Sequence, residues 1–318
     1  MTKYIIKRFV WLILTLTGSM LILFSLLYFV PGDPASILLG QKATPEIREA
    51  LIHRLGLDQP MPIRFAKYVW NILQGNWGKS IWTGESVLPA ILRVLPYTFI
   101  LAVAGMGISI IIGCGLGILA VFYKNSIYDH ITSLFSLIAA STVDYVAAVL
   151  LLLFFSVSLR WFPSLGMGTK GNILDQFFHL ILPAFALAIS WSGYIARLTR
   201  ASLLETLDSD YIKTTRLFGI PKVRIIYKYA FKNAIKPIIA IIGMGFGRLL
   251  GGALFIEIVF TRIGLGRYTI EAIRNRDFPA VQGGVLMSVL LFAIAIICLL
   301  YTSPSPRDLS TSRMPSSA

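Results

Sequence analysis

Three histidines, two cysteines and a scatter of carboxylates are the side chains with which this 318-residue sequence could do metal or acid–base chemistry. His53, His130 and His179 lie far apart, each at or near the end of an element, whereas a metal site needs converging ligands. Cys114 and Cys298 sit in apolar runs, with neither metal-ligand spacing nor a disulfide framework. Gly78-Lys79-Ser80 resembles the end of a phosphate-binding loop, but the pattern needs a glycine where Leu73 stands. Gly243, Gly245 and Gly247 lie within an apolar run and follow no strand, so they are no dinucleotide fingerprint. With Gly251 they give the small-xxx-small spacing that lets helices approach closely in lipid. No nucleophile–base pair or carboxylate dyad stands out. Neither a metal centre nor an enzyme is indicated.

The elements carrying these residues are those of a membrane protein. The sequence is 56% hydrophobic and only 14% charged, with a mean hydropathy of +0.75. So few charges cannot cover a soluble domain, and lipid-facing surfaces need none. The net charge of +14 could signal nucleic acid, but such binders concentrate charge on a soluble face. Lys and Arg gathered in cytoplasmic loops account for it better, and no nucleic-acid partner is expected.

Apolar runs long enough to cross a bilayer (about 20 residues) occur at 9–30, 97–122, 131–157, 179–198, 236–258 and 281–301. In lipid each must be helical, because every backbone group needs an internal partner. The first run follows Lys3, Lys7 and Arg8, is too long for a signal-peptide core and ends in Pro31-Gly32-Asp33-Pro34 without a cleavage site. It reads as a retained span with a cytoplasmic N-terminus. An even number of spans then places both termini in the cytoplasm. The loop between spans four and five agrees: it carries Lys213, Arg216, Lys222, Arg224, Lys228 and Lys232 against Glu205, Asp208 and Asp210. The segment 31–96 falls outside. There Thr44 and Pro45 predict a helix to about Leu55, and apolar spacing predicts a second over 62–74.

Residues 199–236 hold the most informative pattern. Asp208 can cap a helix running to Phe218, Gly219 can end it, and Pro221 can start another that continues through Asn233 and Pro237 into the fifth span. Such a helix–turn–helix suits a knob inserted into a soluble partner. It equally suits a basic connector lying on anionic lipid headgroups, and composition leaves both open.

The segment resembles the EAA loop of permeases in binding-protein-dependent ABC importers, with Lys213-Thr214-Thr215 at the EAA position and Gly219 as its defining glycine. Pro31-Gly32-Asp33-Pro34, Leu55-Gly56-Leu57-Asp58-Gln59-Pro60, Gly75-Asn76-Trp77-Gly78, Leu95-Pro96-Tyr97-Thr98, Ala196-Arg197-Leu198-Thr199-Arg200, Gly264-Leu265-Gly266-Arg267 and Asn275-Arg276-Asp277-Phe278-Pro279 resemble the dipeptide/oligopeptide/nickel branch. The resemblance implies an all-α membrane protein with six transmembrane helices and a type I ABC importer permease-like fold. It divides the chain into 1–30 (N-terminal end and first span), 31–96 (external helical region), 97–301 (five-helix core containing loop 199–236) and a tail, 302–318. It implies a second permease, two cytoplasmic ATPases and an external solute-binding protein as partners, besides membrane lipid. Asp210, Lys213, Thr214, Thr215, Arg216, Gly219, Asn233 and Pro237 would couple to an ATPase. ATP and magnesium would be used by that partner, with no cofactor on this chain. The implied function is import of di- or oligopeptides, with nickel or a metal chelate as the alternative. A secondary transporter would predict inverted repeats and discontinuous spans, and neither is clear here.

Three features depart from the branch. Ser141-Thr142-Val143-Asp144-Tyr145 stands where a proline and an apolar residue are usual, and Arg248 where a small or uncharged residue is common. Counting 13 and 12 residues from the span starts at 131 and 236 puts Asp144 and Arg248 roughly 18–20 Å deep at 1.5 Å per residue. They are candidates for the translocation pathway, either pairing with each other or meeting the charged ends of a peptide. The tail from Thr302, rich in Ser, Pro and Arg, reads as a non-native ending or a disordered segment.

Overall fold

The computed structural model describes residues 2–29, 60–169 and 171–302, nearly all of them helical. The predicted helix at 44–55 and the tail beyond Thr302 lie outside the described residues. In order the helices are α1 (Thr2–Phe29), α2 (Met61–Leu73), α3 (Val87–Phe122), α4 (Ile127–Ser141), α5 (Asp144–Leu151), α6 (Ile173–Leu207), α7 (Asp210–Leu217), α8 (Lys222–Val259), α9 (Leu265–Arg274) and α10 (Phe278–Thr302). The only β pairing among the described residues is an isolated bridge between Lys79 and Ser86.

Helix α3, helix α6, helix α8 and Phe278–Ala295 of α10 are long and apolar enough to cross a membrane. Helix α1 contains a shorter apolar stretch, Val10–Ser25. The run at 131–157, expected to be one straight span, is instead a bent pair: α4 and the helix Asp144–Ser158 meet at 107°. Thr142 (φ −77°, ψ 133°) and Val143 (φ −75°, ψ 131°) are both extended, which interrupts the ladder. The depth counted along a straight helix to Asp144 therefore does not hold past Ser141. After α5 the chain loosens into a π-helical stretch, Leu152–Ser158.

Two compact units emerge. The first comprises the chain up to Phe99 together with Thr261–Leu291. Its core joins Val87 and Ile91 to Leu265, Ala272, Ala280, Val281 and Met287. Asp277, 3% exposed, fastens the loop that precedes α3: its carboxylate accepts from the Ser80 hydroxyl and from the Ile81 and Trp82 amides. Gly78-Lys79-Ser80 thus belongs to a loop held by a carboxylate, which would repel phosphate. The Tyr268 hydroxyl is buried with no hydrogen-bond partner among the described residues. Burial, with the charges of Asp277 and Glu85, pushes its pKa up to about 12.

The second unit, Ile100–Phe260 with the chain from Phe292 onward, centres on α6, against which α4, α5 and α8 pack. Lipid is as apolar as leucine, so burying leucine does little to hold these helices together; close backbone approach does more. Gly193 supplies it between α6 and α4, where an added Cβ would stand 2.5 Å from the Ser136 carbonyl. Gly113 and Gly117 supply it between α3 and α6, against Ile195 and Thr199. Of the glycines predicted to pack on α8, Gly245 lies against Trp191 and Gly247 against Phe292 and Ala295, but a Cβ on Gly251 would meet nothing within 4 Å. At one end of the unit Arg200 clamps Asp129 with two bonds, Nε to Oδ1 at 2.7 Å and Nη2 to Oδ2 at 2.9 Å. Asp129 also accepts from the Asn125 amide, which closes the turn between α3 and α4.

Candidate functional site

The predicted helix–turn–helix is present, with one shift in its capping. Asp208 is not the cap of the short helix; it closes α6 in a right-handed conformation. Ser209 (φ −71°, ψ 151°) starts α7. Gly219 then adopts φ +71°, the left-handed conformation that reverses the chain cheaply only for glycine. An added Cβ there would meet nothing within 4 Å, so this position needs glycine for its backbone conformation and not for space. Pro221 (φ −63°) leads into Lys222–Arg224, followed by a π-helical turn, Ile225–Ala230, and the rest of α8. Pro237 lies inside that helix, where its missing N–H leaves the Asn233 carbonyl without its usual donor.

The knob has a firm base. Ile212 is fully buried among Val121, Leu203, Leu207, Ile225, Ile226, Ala230 and Ala234, which come from α3, α6 and α8. Lys222 Nζ donates to the Phe122 carbonyl at 2.6 Å and lies over the Phe122 ring, capping the end of α3. Asn233 Nδ2 donates to the Tyr211 hydroxyl at 2.8 Å, tying α8 back to α7. Arg216 reaches the Leu207 carbonyl at the end of α6, 3.4 Å away. Lys213 pairs with Asp210 at 2.9 Å and holds its carboxyl below the usual carboxylate range. Thr214 and Thr215 turn their hydroxyls inward to the Asp210 and Tyr211 carbonyls.

The tip is the opposite. Leu217 is 88% and Phe218 78% exposed, immediately before Gly219. Sequence reasoning singled out Gly219 and the polar residues around it, but not these two. The signal was available: two large apolar side chains directly before a helix-ending glycine, in an otherwise basic loop.

Asp144 and Arg248, the other candidates, lie near one another in register without bonding. Asp144 opens α5, and its Oδ1 accepts from Ser190 Oγ of α6 at 2.5 Å. Its Oδ2 stands 2.9 Å from where a Cβ on Gly252 of α8 would be. Arg248, on the same face of α8 one turn earlier, is exposed. No ion pair joins the two among the described residues.

Residues 109–303 match the family described as binding-protein-dependent transport system inner membrane component, and residues 1–102 match the N-terminal region of such membrane components. The chain belongs to this family. It is a permease subunit and a multi-pass protein of the inner membrane. Among its relatives, the probable peptide ABC transporter permease y4tP of Sinorhizobium fredii is 34% identical over 310 residues, covering 96% of this chain and 99% of the relative. The di/tripeptide transport system permease DppB of Pseudomonas aeruginosa is 34% identical, covering 96% and 98%. The glutathione transport system permease GsiC of Pectobacterium atrosepticum is 35% identical, again covering 96% and 98%. Among solved structures, the MetNI methionine ABC transporter resembles this permease in fold, with a TM-score of 0.53 at 18% identity over 67% of this chain and 96% of that one. The fold is that of a type I importer permease.

Proposed function

We propose that this permease is one of a pair forming the translocation pathway of an ATP-driven peptide importer, and that an ATPase subunit grips it at the α7–α8 turn. The observation that carries the reading is the exposed Leu217–Phe218 tip on a base fixed by Ile212 and Lys222. A lipid-lying connector spreads its apolar side chains along one face of a helix, whereas here they are gathered at the tip of a turn on a rigid mount. The basic residues of loop 199–236 support a cytoplasmic position for it, and hence cytoplasmic termini.

The partner set is a second permease, two ATPases and an external solute-binding protein. ATP and magnesium act in the ATPases, and this chain binds no cofactor. Movement of the ATPases would be passed through α7 to α6 and α8, the helices to which the knob is tied. Peptide is the favoured cargo because the relatives described above are named for peptides, di- and tripeptides and glutathione. That supports peptide over nickel or a metal chelate. Co-purification tests the docking: Leu217→Asp and Phe218→Asp should each deplete the ATPase from the complex while the permease stays in the membrane. An undiminished ATPase yield in both variants would contradict it.

A further inference from the structure

We infer that Asp144 and Arg248 form one dipolar site on the translocation pathway, taking the α-ammonium and the α-carboxylate of a short peptide. The inference rests on the reading of this chain as a peptide permease and assigns each of the two residues a partner on the peptide.

The two groups carry opposite charges, and among the described residues neither has an ion-pair partner. Arg248 makes no hydrogen bond or ion pair among the described residues. It sits well inside the apolar helix Lys222–Val259, on an exposed face shared with Met244, Gly251 and Phe255. An arginine at such a position cannot face hydrocarbon without a cost of several kcal/mol. That face of α8 therefore looks onto water or protein in the assembled importer. Asp144 is anchored at the same level by contact, not by counting along a helix: its Oδ2 lies beside Gly252, four residues from Arg248. Ser190 divides its single proton between Asp144 Oδ1 and the Thr142 carbonyl. Asp144 Oδ2 is thus left with no donor among the described residues.

The surroundings suit a pathway. Asp144 follows two extended residues at a 107° break in an apolar helix pair. Irregular backbone at membrane depth is tolerated where it is buried in protein or lines a water-filled cavity. Tyr145 and Phe255, both exposed, meet edge to face at 6.5 Å beside the pair and provide an apolar wall for side chains. The spacing along α8 is on the scale of a short peptide. Gly252 and Arg248 are separated by about 6 Å along α8 at 1.5 Å per residue. Two extended peptide residues span at most about 7 Å. A dipeptide is of a length to approach both charges at once.

The test uses the complete importer in proteoliposomes with its loaded binding protein, measuring uptake of labelled dialanine and trialanine. Assembly is judged by co-elution of the ATPase with each variant. Asp144→Asn and Arg248→Gln should each lower dialanine uptake by roughly tenfold. The exchange Asp144→Arg/Arg248→Asp should not restore it, because the peptide arrives with its ends in a fixed order. With Cys114→Ser and Cys298→Ser in place, Arg248→Cys should react with a water-soluble methanethiosulfonate. Full uptake in both single variants, restoration by the exchange, or an unreactive Cys at 248 each overturns the site. Failure of the wild-type importer to take up either peptide overturns instead the peptide reading on which the site rests.

Discussion

Asp277 shows how much a single buried carboxylate does in this chain. It is the shared acceptor for the Ser80 hydroxyl and the Ile81 and Trp82 amides, so Asp277→Ala leaves several donors without partners. A loss on the order of 3 kcal/mol is expected, read as a lowered melting temperature of the purified permease. Asp277→Asn keeps an acceptor oxygen and should fall between. The Asp129–Arg200 clamp makes a second prediction. Arg200 retains about a third of its side-chain exposure, 33%, against 6% for Asp129. Asp129→Ala should therefore cost about 2–4 kcal/mol. Arg200→Lys should not be neutral, because an ammonium cannot reproduce the two-pronged contact. At Gly219 the expected effect is local: valine at φ +71° adds about 1–2 kcal/mol of backbone strain and should distort the tip, lowering ATPase co-purification more than thermal stability. The conformation of Gly219 was legible in the sequence because a glycine followed closely by a proline has few other uses between two helices. The Asp129–Arg200 and Ser80–Asp277 bonds were not, since they join residues 71 and 197 positions apart and nothing local marks them.

Among the elements, helix contacts through glycine set the spacing of the second unit. Gly193→Ala would push a Cβ into backbone atoms of α4, the Ser136 carbonyl at 2.5 Å and the Ala140 nitrogen at 2.8 Å, and backbone cannot yield as a side-chain end can. A cost of about 1–3 kcal/mol is expected, seen as reduced yield and earlier thermal aggregation in detergent. Gly251→Ala, with open space around it, should leave the fold of the chain unchanged by the same measures. The sequence pattern pointed to glycines on α8 and correctly implied close packing for Gly245 and Gly247. It passed over Gly113, Gly117 and Gly193, which make closer approaches. Hydropathy also gave 131–157 as one run because no proline or glycine marks its break. Ser141, Thr142 and Val143 are compatible with helix, and Thr142 and Ser141 return their hydroxyls to the Ile138 and Leu137 carbonyls of α4. The bend is a tertiary effect, fixed by Ser190 and the seat of Asp144 beside Gly252.

At the scale of the whole molecule, the described residues present a rigid polar knob with an apolar tip, and two charges of opposite sign, Asp144 and Arg248, on the apolar helices with no ion-pair partner among those residues. A helical membrane protein was legible from hydropathy, and the knob from its turn residues. The ATPase proposed to grip the knob came from family resemblance, because a docking surface does not name its partner. The account rests on energy entering from ATP through loop 199–236 and on peptide crossing as a result. Labelled dialanine uptake by proteoliposomes containing the full importer tests this most directly. Uptake should require ATP on the side where loop 199–236 is exposed, and it should be lost in the Leu217→Asp variant. Uptake that persists without ATP, or that an ion gradient alone sustains, would contradict it.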